Sequence, residues 1–143
     1  MARTSADKYL KTRVMTASPV ELQIMLLEGC IGFCRQARKH RVEGDRSLSH
    51  HFFIRAQHVI LELSGGLRRE VHPELCENLG ALYHFLFVQL FQANTSGDLA
   101  RVDAVISILE TLTAGWRQLM QKLASEKETI PVVQPGQPME LSA

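Results

Sequence analysis

The stretch SPVELQIMLLEGCIGFCRQARKHR, residues 18–41, decides the fold class. Ser18 can cap a helix, Pro19 suits the first helical position, and Glu21 has the spacing of a capping box. Behind this start, apolar residues recur at steps of three and four, which is the mark of one buried helical face. The stripe consists of Leu22, Met25, Leu26, Cys30, Phe33, Cys34 and Ala37. The stretch therefore predicts a helix, and Gly44 supplies its stop.

Three further helices follow from similar signals. Ser47 or Ser49 can cap a second helix, which ends at the glycine pair 65–66. Pro73 marks the first turn of a third helix, and a fourth begins near Leu99 after a stretch rich in turn-forming residues. No segment alternates with a period of two, so no strand is expected. The pattern predicts an all-α fold, an antiparallel up-down four-helix bundle.

The two ends of the chain differ from this bundle. We expect residues 1–17 to form an extended N-terminal lid segment, 18–124 the bundle, and 125–143 a flexible, mobile tail with three prolines. Tyr9, Val14 and Met15 could lie across the bundle as a lid, or simply form a hydrophobic staple against the first turn. The pattern leaves both alternatives open.

Composition and charge exclude several classes of protein. The 143 residues are 45% apolar, and 16 basic against 15 acidic residues give a net charge of +1. A near-neutral domain lacks the basic footprint that nucleic-acid binding needs. No apolar run approaches the ~20 residues of a membrane span, so we expect a cytoplasmic protein with no membrane insertion. The three cysteines are an odd number, which favours buried structural thiols over a complete disulfide framework.

Catalytic signals are missing from the sequence. No glutamate has a histidine three positions later, which a di-metal centre in a helical bundle would need. Phosphate-binding glycine loops and nucleophile-elbow motifs are also missing. We therefore expect a binding protein that is not an enzyme and that holds neither a cofactor nor a metal.

The third predicted helix is more apolar than a corner of a bundle requires. Its expected inward stripe is formed by Leu75, Leu79, Leu82, Leu86 and Leu90, with Tyr83 and Ala93 at its margin. A second set, Phe87 and Phe91 with Phe85 and Val88 beside them, would still face away from that core. Three explanations remain: the helix is central, the chain's own ends cover it, or a partner helix lies against it. Ile54 and Leu61, seven apart on the second helix, add to the apolar surplus.

Six features occur in a fixed order along the chain: Tyr9, the motifs TASPVEL (16–22), MLLEG (25–29), NLGALY (78–83) and LFQAN (90–94), and Trp116. In kind and order they resemble the flagellar secretion chaperone family FliS. The chain departs from the family pattern at Leu27 and Glu28, where tyrosine and aspartate are usual.

The resemblance implies a cytosolic chaperone that binds the C-terminal region of flagellin, keeps it from polymerising early and presents it to the flagellar type III export machinery. Flagellin helices would then lie along the second and third predicted helices, and the segment from Tyr9 to Met15 would cover part of this surface when the partner is absent. The expected partner-binding residues are Tyr9, Val14, Ala56, Val59, Leu63, Leu82, Tyr83, Leu86, Phe87 and Phe91. The rival hypothesis is a structural or regulatory bundle that self-associates through the same apolar face as a homodimer.

Overall fold

A computed structural model describes residues 4–129, which form five helices and, over that range, no strand. The helices are α1 (Ser5–Thr16), α2 (Pro19–Val42), α3 (Arg46–Gly65), α4 (Pro73–Ser96) and α5 (Leu99–Thr129). The four helices expected from the sequence are α2 to α5. The prediction of an all-α helical bundle is confirmed.

The bundle helices pack around a square, because α2 and α4 each contact both α3 and α5. Hydrogen bonds between helices show their direction. Ser49 Oγ donates to the Ala37 carbonyl at 2.8 Å, and Cys30 Sγ donates to the Ala56 carbonyl at 3.5 Å. Residue numbers therefore rise along α3 as they fall along α2, and the two helices are antiparallel.

Capping groups set the ends of these helices. The Ser18 hydroxyl accepts from the Glu21 amide at 3.2 Å, as the sequence predicts. The predicted cap of α3 at Ser47 or Ser49 is wrong. The Asp45 carboxylate accepts from the Leu48 amide at 3.0 Å instead, and Ser49 is buried. An aspartate one residue before the first helical position is as good a cap as serine.

The core is a continuous cluster drawn from α2, α3, α4 and α5. On α4 the inward line runs through Cys76, Tyr83 and Leu90, which are seven residues apart and so share a face. Tyr83 is thus a core residue, whereas Leu75, which the sequence placed inward, is exposed. The fully enclosed side chains include Leu27, Cys30, Cys34, Phe53, Ile60, Leu63, Tyr83, Leu86, Leu90, Val102, Val105 and Leu109.

The three cysteines are buried and free, which confirms the prediction of buried structural thiols. A side-chain hydrogen bond with Cys34, followed by burial, raises the pKa of the Cys30 thiol. Cys30 is therefore protonated at neutral pH, and a protonated thiol is a poor nucleophile.

The N-terminal segment is a helix and not an extended chain. Thr4 Oγ1 accepts from the Asp7 amide at 3.1 Å, and the Asp7 carboxylate accepts from the Thr4 amide at 3.4 Å, which is a complete capping box. The helix ends before Ser18 because a residue preceding proline favours extended backbone. Periodicity missed α1 since the helix buries none of its residues. Local capping alone marks it in the sequence.

The last helix, α5, continues to Thr129, five residues into the segment expected to be a tail. The remainder of that segment, residues 130–143, lies outside the described residues. The prediction of a mobile tail therefore stays a prediction.

Candidate partner-binding surface

The seam between α3 and α4 is held by neutral contacts. Asn94 Nδ2 and His50 Nδ1 lie 2.9 Å apart, and Gln57 Nε2 donates to the Phe87 carbonyl at 3.4 Å. The two contacts are seven residues apart on each helix, so they mark one straight line along the seam. Asparagine and glutamine side chains are uncharged, so neither contact is an ion pair.

Apolar side chains lie just outside this seam. On α3, Ile60 is three residues after Gln57 and fully buried, whereas Leu61 is four residues after it and 54% exposed. On α4, Leu90 is buried and Phe91, four residues after Phe87, is 58% exposed. On both helices, the residue three positions after the seam residue faces the core, and the residue four positions after it faces outward.

These outward positions form an apolar strip along the seam between α3 and α4, which we call the open groove. It combines half-buried Ile54 and Phe87 with exposed Leu61, His84 and Phe91. Exposed phenylalanine and leucine at helical spacing are typical of a surface that receives an amphipathic helix. The described part of the chain contributes no segment that buries Phe91 or Leu61.

The seam on the opposite side of the bundle, between α2 and α5, has a different chemistry. Arginine and carboxylate side chains cross it three times, at distances of 2.7–2.8 Å. The pairs are Arg35–Glu110, Arg38–Asp103 and Arg117–Glu28. The hydrogen bond with Asp103 raises the pKa of the Arg38 guanidinium further above its usual value. We call this line of pairs the closed seam.

Four of the residues expected to touch a partner are core residues. Ala56, Leu63, Tyr83 and Leu86 are each at most 1% exposed, so a partner could reach them only if the bundle opened. They share α3 and α4 with the open groove but face the bundle axis. The periodicity of the sequence identifies the apolar faces of α3 and α4. It does not show which part of each face is covered by the other helices of the bundle.

Two more of the expected residues lie beside other seams. Val59 is two residues from Leu61, about 160° around α3. It shares a face with Phe52, whose ring stacks on Phe33 of α2 at 6.2 Å between centroids. Leu82 is seven residues before Gln89, which accepts from Arg101 of α5 at 2.9 Å.

Tyr9 and Val14 stand on α1, where they are 70% and 43% exposed. The structure therefore does not place them across the open groove. Only Phe87 and Phe91 of the expected set line that groove. Ile54 and Leu61, which join them, had a signal in the sequence, since both are apolar and seven apart on the line next to His50 and Gln57.

Residues 4–129 show neither a membrane-spanning helix nor a cluster of metal ligands. No helix in this range is both long enough and apolar enough to pass through a bilayer. Nor do the described histidine, cysteine and acidic side chains gather in groups of three or more that could hold a metal ion.

Known proteins are similar to this chain in sequence and in fold. A model of the family described as flagellar protein FliS matches residues 1–123. The flagellar secretion chaperone FliS of Bacillus subtilis is 33% identical over 113 residues, which cover 79% of this chain and 84% of that protein. Its counterpart in Salmonella typhimurium is 29% identical over 123 residues, or 85% and 91% of the two chains.

A solved structure agrees with these relatives in fold. The crystal structure of a bacterial flagellar chaperone superposes with a TM-score of 0.70 at 19% identity, covering 82% of this chain and 96% of the other. The likeness at this identity concerns the fold, whereas the sequence matches concern descent. Together with the helix order and the motif order described above, they lead to one conclusion: this chain belongs to the flagellar protein FliS family.

Proposed function

We propose that this protein is a cytosolic export chaperone that binds the C-terminal segment of flagellin in the open groove. Binding there would prevent premature polymerisation of flagellin and allow its delivery to the flagellar type III export machinery. The role is one of binding and not of catalysis. The observation that carries the proposal is the exposure of Leu61 and Phe91 on facing helices, on one side of a bundle whose other side is closed by ion pairs.

The chemistry of the open groove favours a helical partner. An amphipathic helix presents anchors at three- and four-residue spacing, which matches the spacing of apolar positions along a groove between two helices. Half-buried Ile54 and Phe87 and exposed Leu61 and Phe91 lose contact with water when a partner covers them. Burial of such surface stabilises a complex by roughly 25 cal/mol per Å² before the cost of ordering is subtracted.

A disordered partner segment fits the task of export. Such a segment loses conformational entropy when it binds, so it needs a long contact and gives a complex that can still release it. The two hydrogen bonds beneath the groove use the uncharged side chains of Gln57 and Asn94, so neither is an ion pair between acidic and basic residues. Family membership supports flagellin as the source of the segment, because the relatives are named flagellar secretion chaperones.

The proposal is tested by two aspartate substitutions in the groove. Leu61→Asp together with Phe91→Asp should weaken binding of the flagellin C-terminal segment by roughly 100-fold, because buried apolar anchors carry most of an interface's energy. Isothermal titration calorimetry measures this affinity. Circular dichroism should show unchanged helicity, since both side chains are exposed in the free protein.

Phe85→Asp is the matched control. Phe85 has the same chemistry, lies on the same helix and is 47% exposed, but it points about 120° away from Phe91. Its substitution should leave the affinity unchanged. Equal losses in both variants, or no loss in the groove variant, would refute the assignment of the partner to the open groove.

Light scattering distinguishes the chaperone proposal from the rival arrangement, a homodimer joined through the same groove. The chaperone proposal expects the free protein to have the mass of one 16.1 kDa chain and the mixture to form a one-to-one complex with flagellin. A homodimer that Leu61→Asp dissociates, and that does not respond to flagellin, would replace the proposal with self-association.

A further inference from the structure

A pocket of about 300 Å³ lies at the end of the bundle where α2 and α4 begin, and we call it the end pocket. The loop after α3, the first turns of α4 and single residues of α2 and α5 surround it. Its walls are mostly apolar, with Leu67, Val71, Leu75, Leu79 and Trp116 among the residues that line it. Its volume is that of a small-molecule site, and it shares no residue with the open groove.

One polar group without a partner opens into the end pocket, the hydroxyl of Tyr83. Tyr83 lines the pocket and is only 1% exposed, and its hydroxyl makes no hydrogen bond with any group of residues 4–129. Within that range, every side-chain nitrogen or oxygen that is wholly cut off from solvent has a partner. The Tyr83 hydroxyl therefore keeps a small accessible area, and the pocket is the space that it reaches. A buried polar group of this kind is a position for a partner from outside the chain.

The polar groups of the end pocket are chiefly donors. Burial raises the pKa of the Tyr83 phenol above its usual value, so its proton stays on the oxygen at neutral pH. The indole of Trp116 has only a donor, and Arg68 brings a permanent positive charge together with donors. The side chains of residues 4–129 that line the pocket include no acidic group. The pocket thus suits an acceptor that carries negative charge.

The combination of apolar walls with donors selects the class of ligand. A hydrocarbon without a polar group would leave the Tyr83 hydroxyl without a partner, and a small inorganic anion would leave the walls in water. A carboxylate with an apolar body satisfies both parts. Arg68 supplies the opposite charge that a carboxylate needs when it leaves water.

We propose that the end pocket binds a small carboxylate with an apolar body, of the class of medium-chain fatty acids, whose carboxylate accepts from the Tyr83 hydroxyl. The narrow access to Tyr83 admits such a molecule and excludes a helix. The inference goes beyond the proposed function and does not rest on it, because the end pocket and the open groove have no residue in common.

Trp116 reports on the end pocket, since it is the only tryptophan of the chain. Titration of the full-length protein with octanoate should move the Trp116 emission to shorter wavelength in a saturable manner, because the hydrocarbon displaces water from the half-buried indole. Octan-1-ol has the same hydrocarbon chain without the charge and should bind roughly tenfold more weakly. An emission that octanoate leaves unchanged, or octan-1-ol binding as tight as that of octanoate, would overturn the proposal.

Tyr83→Phe removes the hydroxyl and keeps the ring. It should weaken octanoate binding roughly tenfold, because a hydrogen bond to a charged acceptor is lost. The urea midpoint of the free protein should not fall, since the hydroxyl has no partner within residues 4–129. A purely structural role of the hydroxyl predicts the reverse, a lower midpoint with unchanged affinity, and that result would refute the site.

Arg68→Gln tests the charge at the pocket, and Arg69→Gln is its matched control. The Arg69 side chain lies against α4 outside the pocket, with Nη2 3.6 Å from the position that a Cβ would take at Gly80. Arg68→Gln should weaken octanoate binding about two- to fivefold, because the exposed guanidinium is partly screened by water. Arg69→Gln should leave the affinity unchanged. Equal losses in the two variants would indicate general attraction to positive charge and would contradict binding in the end pocket.

Discussion

The α2–α5 seam and the α3–α4 seam have the same geometry and differ in their chemistry. Both join antiparallel helices, and both repeat their contacts at seven-residue spacing. Across the closed seam, arginine side chains pair with carboxylates. Across the open groove, neutral side chains meet, and leucine and phenylalanine stand outside them. We propose that this difference in chemistry leaves the α3–α4 side of the bundle available to a partner.

The largest expected effect separates the core from the open groove. Leu86→Ala should lower the free energy of unfolding by about 2–5 kcal/mol, because Leu86 is fully enclosed and its loss leaves a cavity. Phe91→Ala should lower it by about 0.5 kcal/mol or less, since most of that ring is in water. Urea unfolding followed by circular dichroism measures both. Similar losses would mean that Phe91 belongs to the core.

An intermediate effect, on flagellin affinity, is expected when an arginine–glutamate pair like those of the closed seam is introduced into the open groove. The register that pairs His50 with Asn94 and Gln57 with Phe87 places Leu61 level with buried Tyr83, and the adjacent His84 is the exposed residue nearest that level. Leu61→Arg with His84→Glu should weaken flagellin binding by about tenfold to a hundredfold, because charges then oppose an apolar partner. Calorimetry in matched buffers measures the change. Binding as tight as that of the natural protein would show that apolar walls are not required.

The smallest effect concerns the closed seam itself. A double-mutant cycle of Arg35→Ala and Glu110→Ala should give a coupling free energy of about 0.2–1 kcal/mol, because both side chains are more than half exposed. The coupling should shrink in high salt as the charges are screened. Flagellin affinity should not change in any of the variants. A loss of affinity here would place part of the partner on the closed seam.

Much of the fold could be predicted from the sequence because its signals are local. The Ser18-Pro19 start, the Pro73 start and the glycines after α3 and α4 are each sufficient to place a helix end. The start of α1 is also local, since Thr4 and Asp7 form a capping box, but a search for buried stripes overlooks a helix that buries nothing. The N-cap of α3 shows a similar limit. Asp45, Ser47 and Ser49 could each cap the helix, and in the structure Asp45 accepts the hydrogen bond from the Leu48 amide.

The partner surface was only partly predictable, for a reason of geometry. A stripe of apolar residues tells which face of a helix avoids water, and it does not tell which neighbour covers that face. Tyr83 and Leu86 face the core, whereas Phe87 and Phe91 lie at the open groove. The rotation of α4 about its own axis sets this division, and only the packing of the helices determines that rotation.

Site-directed photocrosslinking compares the two sides of the bundle most directly. The photoreactive residue p-benzoylphenylalanine replaces Leu61 or Phe91 in the open groove, or Arg35 or Glu110 in the closed seam, and each protein is irradiated with flagellin. We expect crosslinks to the C-terminal segment of flagellin from positions 61 and 91, and none from positions 35 and 110. Crosslinks of equal or greater yield from the closed seam would contradict the assignment of flagellin to the groove between α3 and α4.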